Sequence, residues 1–343
     1  MRMKAAALAM IGLTLMIGGR SNAVAEDFYK EKTITIICPF SAGGTYDRMS
    51  RLVAQYMPKY IPGEPTIIVQ NKAGGGGMIG TRAAYKATPD GLTLLHIPST
   101  FLFQSLFGQV ADIDFTKWGW LGSVGGAHYI MFIRSSLPYR KVDDLRGPKP
   151  LKLGVLGPRS SITEAAKLIK EFGKFNIELV PGYKGYADIA LAIRQGEVDG
   201  VSTAAATLEA NPLTKSMIRE HFIVLLMSLG GGNPPKKFAA EIGKLPKLRD
   251  YISDKAEQRA FDAYIGTYNI TRPFLVTPGI PADRLQVLRD GLWKMMHDTE
   301  FVTAAEKQGF DLNPVSHEGV SAVVRDMFNL PKPEKEKLAE IFK

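Results

Sequence analysis

Ile34-Thr-Ile-Ile-Cys38-Pro-Phe40-Ser-Ala-Gly43-Gly44-Thr45-Tyr-Asp47-Arg48 carries three local signals in succession. Residues 33–38 are β-branched and apolar, the composition of a buried strand. Pro39 ends that run, and Ser41, Gly43 and Gly44 make a loop whose backbone another group can approach closely. Tyr46, Met49, Leu52, Val53, Tyr56 and Tyr60 then recur at helical spacing, with Thr45 placed to cap the start. Strand, glycine loop and helix N-terminus together suit an anion, because free N–H groups and the positive end of the helix dipole meet there.

The same arrangement repeats downstream. Residues 66–69 read as a second strand, followed by a second glycine loop, Asn71-Lys-Ala-Gly74-Gly-Gly76-Gly77-Met78-Ile-Gly80, that runs into a helix over 78–87. It lacks the Gly-Lys-Ser/Thr ending that holds a triphosphate and Mg²⁺. A dinucleotide reading of Gly75, Gly77 and Gly80 lacks an acidic residue in a following strand. Pro89-Asp90-Gly91 is a turn, and a third strand over 92–97 ends at Ser99 and Thr100. Strands alternating with helices imply a mostly parallel sheet, with ligands outside the strand C-termini. Three loops therefore converge on one rim. Each alone also reads as a tight connection that needs glycine for positive φ.

Upstream of the first strand, Arg2 and Lys4 precede an apolar run over 5–17 and an Ala23-Val24-Ala25 cleavage signal. This is the pattern of an export leader cut after Ala25, and the apolar run is too short for a membrane anchor. Without the leader's three bases the formal charge of +9 becomes +6. That charge is spread along the sequence, which argues against a nucleic-acid surface, and it suits an anionic small molecule as well as a plain solvated surface. Cys38 is the single cysteine, so no intramolecular disulfide forms, and its apolar strand suggests an inert core residue. The five histidines show no metal-ligand spacing, and no nucleophile stands at suggestive spacing from a base. No metal and no cofactor are expected.

Pro39-Phe40-x-x-Gly43-Gly44-x-x-Asp47, Asn71-x-x-Gly74-x-Gly76-Gly77-x-x-Gly80 and Pro89-Asp90-Gly91-x-Thr93-Leu94 resemble the tripartite tricarboxylate transporter receptors, also called Bug proteins. Ile280-Pro-Ala-Asp-Arg-Leu285 and Glu306-Lys-Gln-Gly-Phe310 resemble that family's closing helices, so the likeness runs over nearly the whole chain after the leader. It implies an α/β fold of the two-domain periplasmic-binding-protein kind, each lobe a mostly parallel sheet flanked by helices. It also implies a periplasmic receptor that closes on an organic carboxylate, di- or tricarboxylic or aromatic, and two membrane partners, a large and a small integral subunit. Two loops of the first lobe would act as pincers on one ligand carboxylate. A carboxylate leaving water needs hydrogen bonds, and backbone N–H groups provide them without a buried countercharge. Asp47 is expected to organise its loop rather than touch an anion.

The second lobe is expected over 125–229, and the first over 26–124 with 230–343. Residues 118–124 and 128–133 read as strands crossing a hinge. A strand over 151–156 leads to Gly157-Pro-Arg159-Ser160-Ser161-Ile-Thr163 and an amphipathic helix over 164–172, with Ser160 or Ser161 as cap. The family commonly carries Gly-Ser-x-His at this loop, and here Arg159 stands without a histidine. Arg159 either pairs with a distal carboxylate or is solvated. A strand over 177–180 leads to Tyr183, which offers a ring and a hydroxyl, and to Lys184, for which exposure is the simpler reading. Ser202 is expected at a strand end on the cleft side. From Pro331 the tail is a docked helix or a frayed end. The ligand-contact set is therefore Phe40, Ser41, Gly43, Gly44, Thr45, Gly76, Gly77, Met78, Ser99, Thr100, Arg159, Ser160, Ser161, Tyr183 and Ser202, in a monomeric receptor. Rival readings are an exported enzyme for an acyl or phosphorylated substrate, and a sensor subunit for a signalling kinase.

Overall fold

A computed structural model describes residues 28–157, 160–310 and 312–342. The leader with its cleavage site, and Arg159, lie outside the described residues. Two sheets form two α/β lobes. The first has six strands in the order β11-β4-β10-β3-β1-β2, and the second five in the order β7-β6-β8-β5-β9.

In the first sheet β1 (Thr33–Cys38) lies between β2 (Thr66–Asn71) and β3 (Thr93–His96), parallel to both. Ile34 and Ile36 are fully covered and Ile37 nearly so, as expected of a parallel strand buried on both faces. On the far side of β3 the sheet turns antiparallel. β10 (Pro273–Val276) runs against β3 and β4 (Gly119–Ser123), and β11 (Val315–Ser316) against β4. The second sheet is mixed in the same way. β6 (Leu151–Gly154) is parallel to β7 (Ile177–Val180) and β8 (Gly200–Ala204), whereas β5 (His128–Arg134) opposes both β8 and β9 (Ile223–Gly231). The expectation of mostly parallel sheets thus holds for the βαβ units. The strands that carry the chain across and back must enter from the opposite end, and they pair antiparallel.

The chain passes between lobes after β4 and again after β9. Gly126 and Gly232 meet at these crossings, where a Cβ on Gly232 would lie 2.9 Å from the Gly126 carbonyl carbon. Ala127 N–H donates to Tyr268 O at 2.7 Å, and Gly232 N–H donates to Ala127 O at 3.2 Å. The His128 ring lies 2.8 Å from Gly232 O through Nδ1 and 2.9 Å from Ser228 Oγ through Nε2, joining the outgoing and returning strands.

One core cluster runs through both lobes. The helix Ser161–Gly173, which flanks the second sheet, buries Leu168, Ile169 and Phe172 in the same cluster as Phe261 and Tyr264 of the helix Lys255–Gly266. The tail is a docked helix, Lys332–Phe342, with Leu338 fully covered and Ile341 6% exposed. Its Glu334 pairs with Arg259 at 2.5 Å.

Candidate functional site

The first rim loop leaves β1 through Pro39 and Phe40 and enters the helix Thr45–Tyr56. Thr45 is the first helical residue rather than its cap. Gly44 occupies the cap position, and no side chain caps this end. The leading N–H groups of the helix are therefore not engaged by a capping side chain, the condition under which an anion binds such a terminus. Ser41, Gly43, Gly44 and Thr45 are all exposed.

Asp47 lies beneath this loop, 2% exposed. It accepts hydrogen bonds from Gly43 N–H at 2.8 Å, Arg51 Nε at 3.0 Å and Asn71 Nδ2 at 2.9 Å. Asn71 also donates to Phe40 O at 2.9 Å, so one network ties the first loop to the end of β2. Burial pushes this carboxyl up, but hydrogen bonds from Arg51, Gly43 and Asn71 outweigh it and hold the group below the usual carboxylate range.

The second loop holds Gly74, Gly75, Gly76 and Gly77 at φ of 124°, 55°, 63° and 96°, a left-handed succession that only glycine adopts freely. It forms a tight turn into the helix Met78–Tyr85, again without a side-chain cap. A Cβ on Gly77 would sit 2.6 Å from Phe101 Cζ and 3.4 Å from Phe40 Cε1. Phe40 and Phe101 approach each other with centroids 6.1 Å apart. Phe40 belongs to the first loop, Gly77 to the second, and Phe101 follows Ser99 and Thr100 of the third. The three loops are thus in mutual contact. Ser99 is 4% exposed and Thr100 half-buried at the start of the helix Thr100–Leu106. The Met78 side chain lies in the core at 6% exposure, which leaves only its backbone for a ligand.

In the second lobe Ser160 caps the helix Ser161–Gly173, accepting from Thr163 N–H at 3.2 Å. This helix starts three residues before the expected 164. Ser161 lies beside the Tyr129 hydroxyl. Tyr183 and Gly157 line one open cavity of about 490 Å³ that also takes in Lys167, a cation not singled out in the sequence. Lys184 is exposed. Ser202 departs from its expected place. It is mid-strand in β8, fully buried, and donates to Ile130 O of the neighbouring strand at 3.2 Å. The strand runs to Ala204, one residue further than read, so Ser202 turns inward where a ligand cannot reach it.

Two further contacts were invisible in sequence. Ser50 Oγ donates to Tyr46 O at 2.8 Å and lies 2.9 Å from His96 Nδ1. With the serine proton already committed, Nδ1 carries the imidazole proton and Nε2 is left unpaired. Burial, with Arg272 nearby, pushes His96 down to about 3, and its ring stacks on Phe274 at 4.1 Å. This pair packs beneath the rim and is closed to substrate. The second contact joins Glu164 to Tyr264, whose hydroxyl donates to Glu164 Oε2 at 2.7 Å. Only its helix face was legible, since Glu164 shares a face with Leu168 and Phe172; its partner, 100 positions away, was not.

Residues 49–217 match the model of the family described as tripartite tricarboxylate transporter family receptor. Protein BugT of Bordetella pertussis is 42% identical over 88 residues, 26% of each chain. The matches span between 26% and 62% of the length of the first three curated relatives. Two solved structures share the fold. One is a TctC solute-binding protein from Polaromonas, with TM-score 0.72 and 21% identity over 91% of this chain and 99% of that one. The other is MatC from Rhodopseudomonas palustris with bound malate, with TM-score 0.53 and 15% identity over 91% and 99%.

Proposed function

Because this chain belongs to the tripartite tricarboxylate transporter receptor family, we propose that it is a periplasmic receptor that captures an organic carboxylate between its lobes. The leader would direct export and be cleaved after Ala25. The observation that carries the reading is the contact of Phe40, Gly77 and Phe101, which gathers two side-chain-free helix starts onto one rim. Backbone N–H groups of Gly43, Gly77 and Met78 are engaged within the loops by Asp47, Gly74 O and Gly75 O, while those of Gly44, Thr45 and Gly76, with Ser99 and Thr100, hold one carboxylate. Glycine lets its oxygens reach the donors, and no buried countercharge is needed. Asp47 fixes this loop and stays off the ligand. Ser160, Ser161 and Tyr183 meet the ligand from the second lobe.

Closure shifts the population toward a form that a large and a small membrane subunit recognise. Lobe boundaries near 124 and 230, at the crossings, suit that movement. The malate in the MatC neighbour agrees with a dicarboxylic ligand.

A thermal-shift series against mono-, di-, tri- and aromatic carboxylates tests this, since a ligand bound only by the folded protein raises its Tm. The decisive variant is Gly44→Val. Gly44 has φ of −72° and a Cβ there would meet only Ser41 O at 3.5 Å, so the fold tolerates a side chain that blocks the approach. The expected result is an unchanged Tm without ligand and loss of the carboxylate shift. A retained shift removes the first loop from the site.

A further inference from the structure

We propose that the cavity beside the third rim loop is a binding subsite for an organic ammonium group, so that the ligand is a zwitterion. Its carboxylate lies on the glycine rim and its cation against Glu164. This deepens the reading above and rests on it only for the carboxylate half.

The cavity, about 80 Å³, has polar walls from Thr100, Gln104, Gln109 and Glu164. A water-sized group occupies roughly 10–15 Å³ of such volume, so several fit, the size of a methylated ammonium. Its remaining walls are aromatic. Phe103 stacks on Tyr264 with centroids 4.3 Å apart, Tyr264 on Phe342 at 4.5 Å, and Phe103 on Phe107 at 6.0 Å. Stacked on one another, these rings wall the cavity and exclude water, and the lower dielectric strengthens a contact between opposite charges inside it.

The rings alone would accept a neutral apolar group equally well. Glu164 is what discriminates. Tyr264 Oη engages its Oε2 at 2.7 Å, which orients the carboxyl and leaves further acceptor capacity. Among the described residues no lysine, arginine or histidine lines the cavity. Burial accordingly pushes the Glu164 acid up to about 7, with the Tyr264 hydrogen bond and Lys167 pulling the other way. A carboxyl held at the edge of ionisation lacks a countercharge, and a bound ammonium supplies one.

Thr100 joins the two halves, since it opens the helix at the third rim loop and also lines the cavity. The titratable groups around Glu164 are Tyr264 and Tyr268, both raised well above the phenol range by burial, and Tyr129, raised to about 12. The charged neighbour is Lys167 of its own helix.

The test is calorimetric titration with glycine betaine, with 3,3-dimethylbutanoate, and with tetramethylammonium chloride alone. The first two share a shape and differ in the charge of the head. We expect betaine to bind at least tenfold tighter than 3,3-dimethylbutanoate at pH 8, with that advantage shrinking several-fold at pH 6. Glu164→Gln should bring the ratio to about one while 3,3-dimethylbutanoate binding is unchanged, and Tyr264→Phe, which keeps the carboxyl, should preserve most of the advantage. Equal affinities of the two isosteres, or an advantage that survives Glu164→Gln, overturns the subsite and leaves the carboxylate receptor standing. Tetramethylammonium binding that requires Glu164, with no carboxylate bound, keeps the subsite and overturns the receptor reading. No binding of betaine or tetramethylammonium overturns the subsite. Should Glu164→Gln fail to fold, the pH dependence of the wild-type ratio decides.

Discussion

His96, fully buried, and Glu164, partly buried, are titratable groups whose shifts run in opposite directions, and together they bound the pH range of greatest stability. The folded pKa of His96, about 3, lies below its unfolded value of 6.5. Its contribution is therefore complete above pH 6.5 and is lost as pH falls toward 3, where the unfolded chain takes up a proton that the folded one refuses. Glu164 is raised from 4.5 to about 7, so its contribution is present at low pH and lost as pH rises through 7. Thermal melts across pH 4–9 should show a maximum between these limits. Glu164→Gln should remove the loss between pH 4.5 and 7 and leave the His96 rise over that range uncompensated, and an unchanged profile there would remove Glu164 as its cause. Asp47 works differently, because it gathers three donors, one from the loop, one from its own helix and one from the end of β2. Asp47→Ala should cost about 2 kcal/mol in denaturant unfolding and weaken carboxylate binding through a loosened loop. Asp47→Asn, which still accepts from Gly43, should keep more of both.

At the scale of elements, the glycines of the two pincer loops do different physical jobs. Gly44 has an ordinary backbone and is small for access. Gly77 combines φ of +96° with a Cβ position 2.6 Å from Phe101, so its smallness holds two loops together. Gly77→Ala should lower stability by about 1–2 kcal/mol even without ligand, in contrast to Gly44→Val. Equal melting temperatures for the two variants would contradict that division. The tail helix is the other element with a clear energetic role. Removing residues 332–342 uncovers the surfaces against Leu338 and Ile341, which at about 1.5–3 kcal/mol for each buried side chain should drop the Tm sharply. A truncated protein with wild-type Tm would show that the helix contributes nothing to the core it covers.

For the whole molecule, the crossings set how the lobes are joined. A Cβ on Gly232 would lie 2.5 Å from Asn313 Nδ2 and 2.9 Å from the Gly126 carbonyl carbon, in a space walled largely by backbone. Gly232→Val should force the crossings apart, raise the radius of gyration in small-angle scattering and weaken ligands that touch both lobes. Scattering identical to wild type would assign Gly232 a local role.

Local sequence determined the α/β class, the strand over 177–180, the glycine loops and the rim they share, because strand composition, helical period and glycine act over a few residues. The strand and helix ends shifted by one to three residues, as with Thr45, where the cap passed to a glycine that offers no side chain. Ser202 shows the limit. Its strand was correctly placed, but facing and depth depend on which strands lie on either side, and β5 on one side and β6 on the other bury it. The antiparallel half of each sheet, the Ser50–His96 pair and the Glu164 cavity arise from residues between 46 and 242 positions apart in the chain. No local pattern encodes such contacts. They exist because closing the sheets and docking the last helix bring distant side chains into one dry space, where the cost of burying a charge is decided.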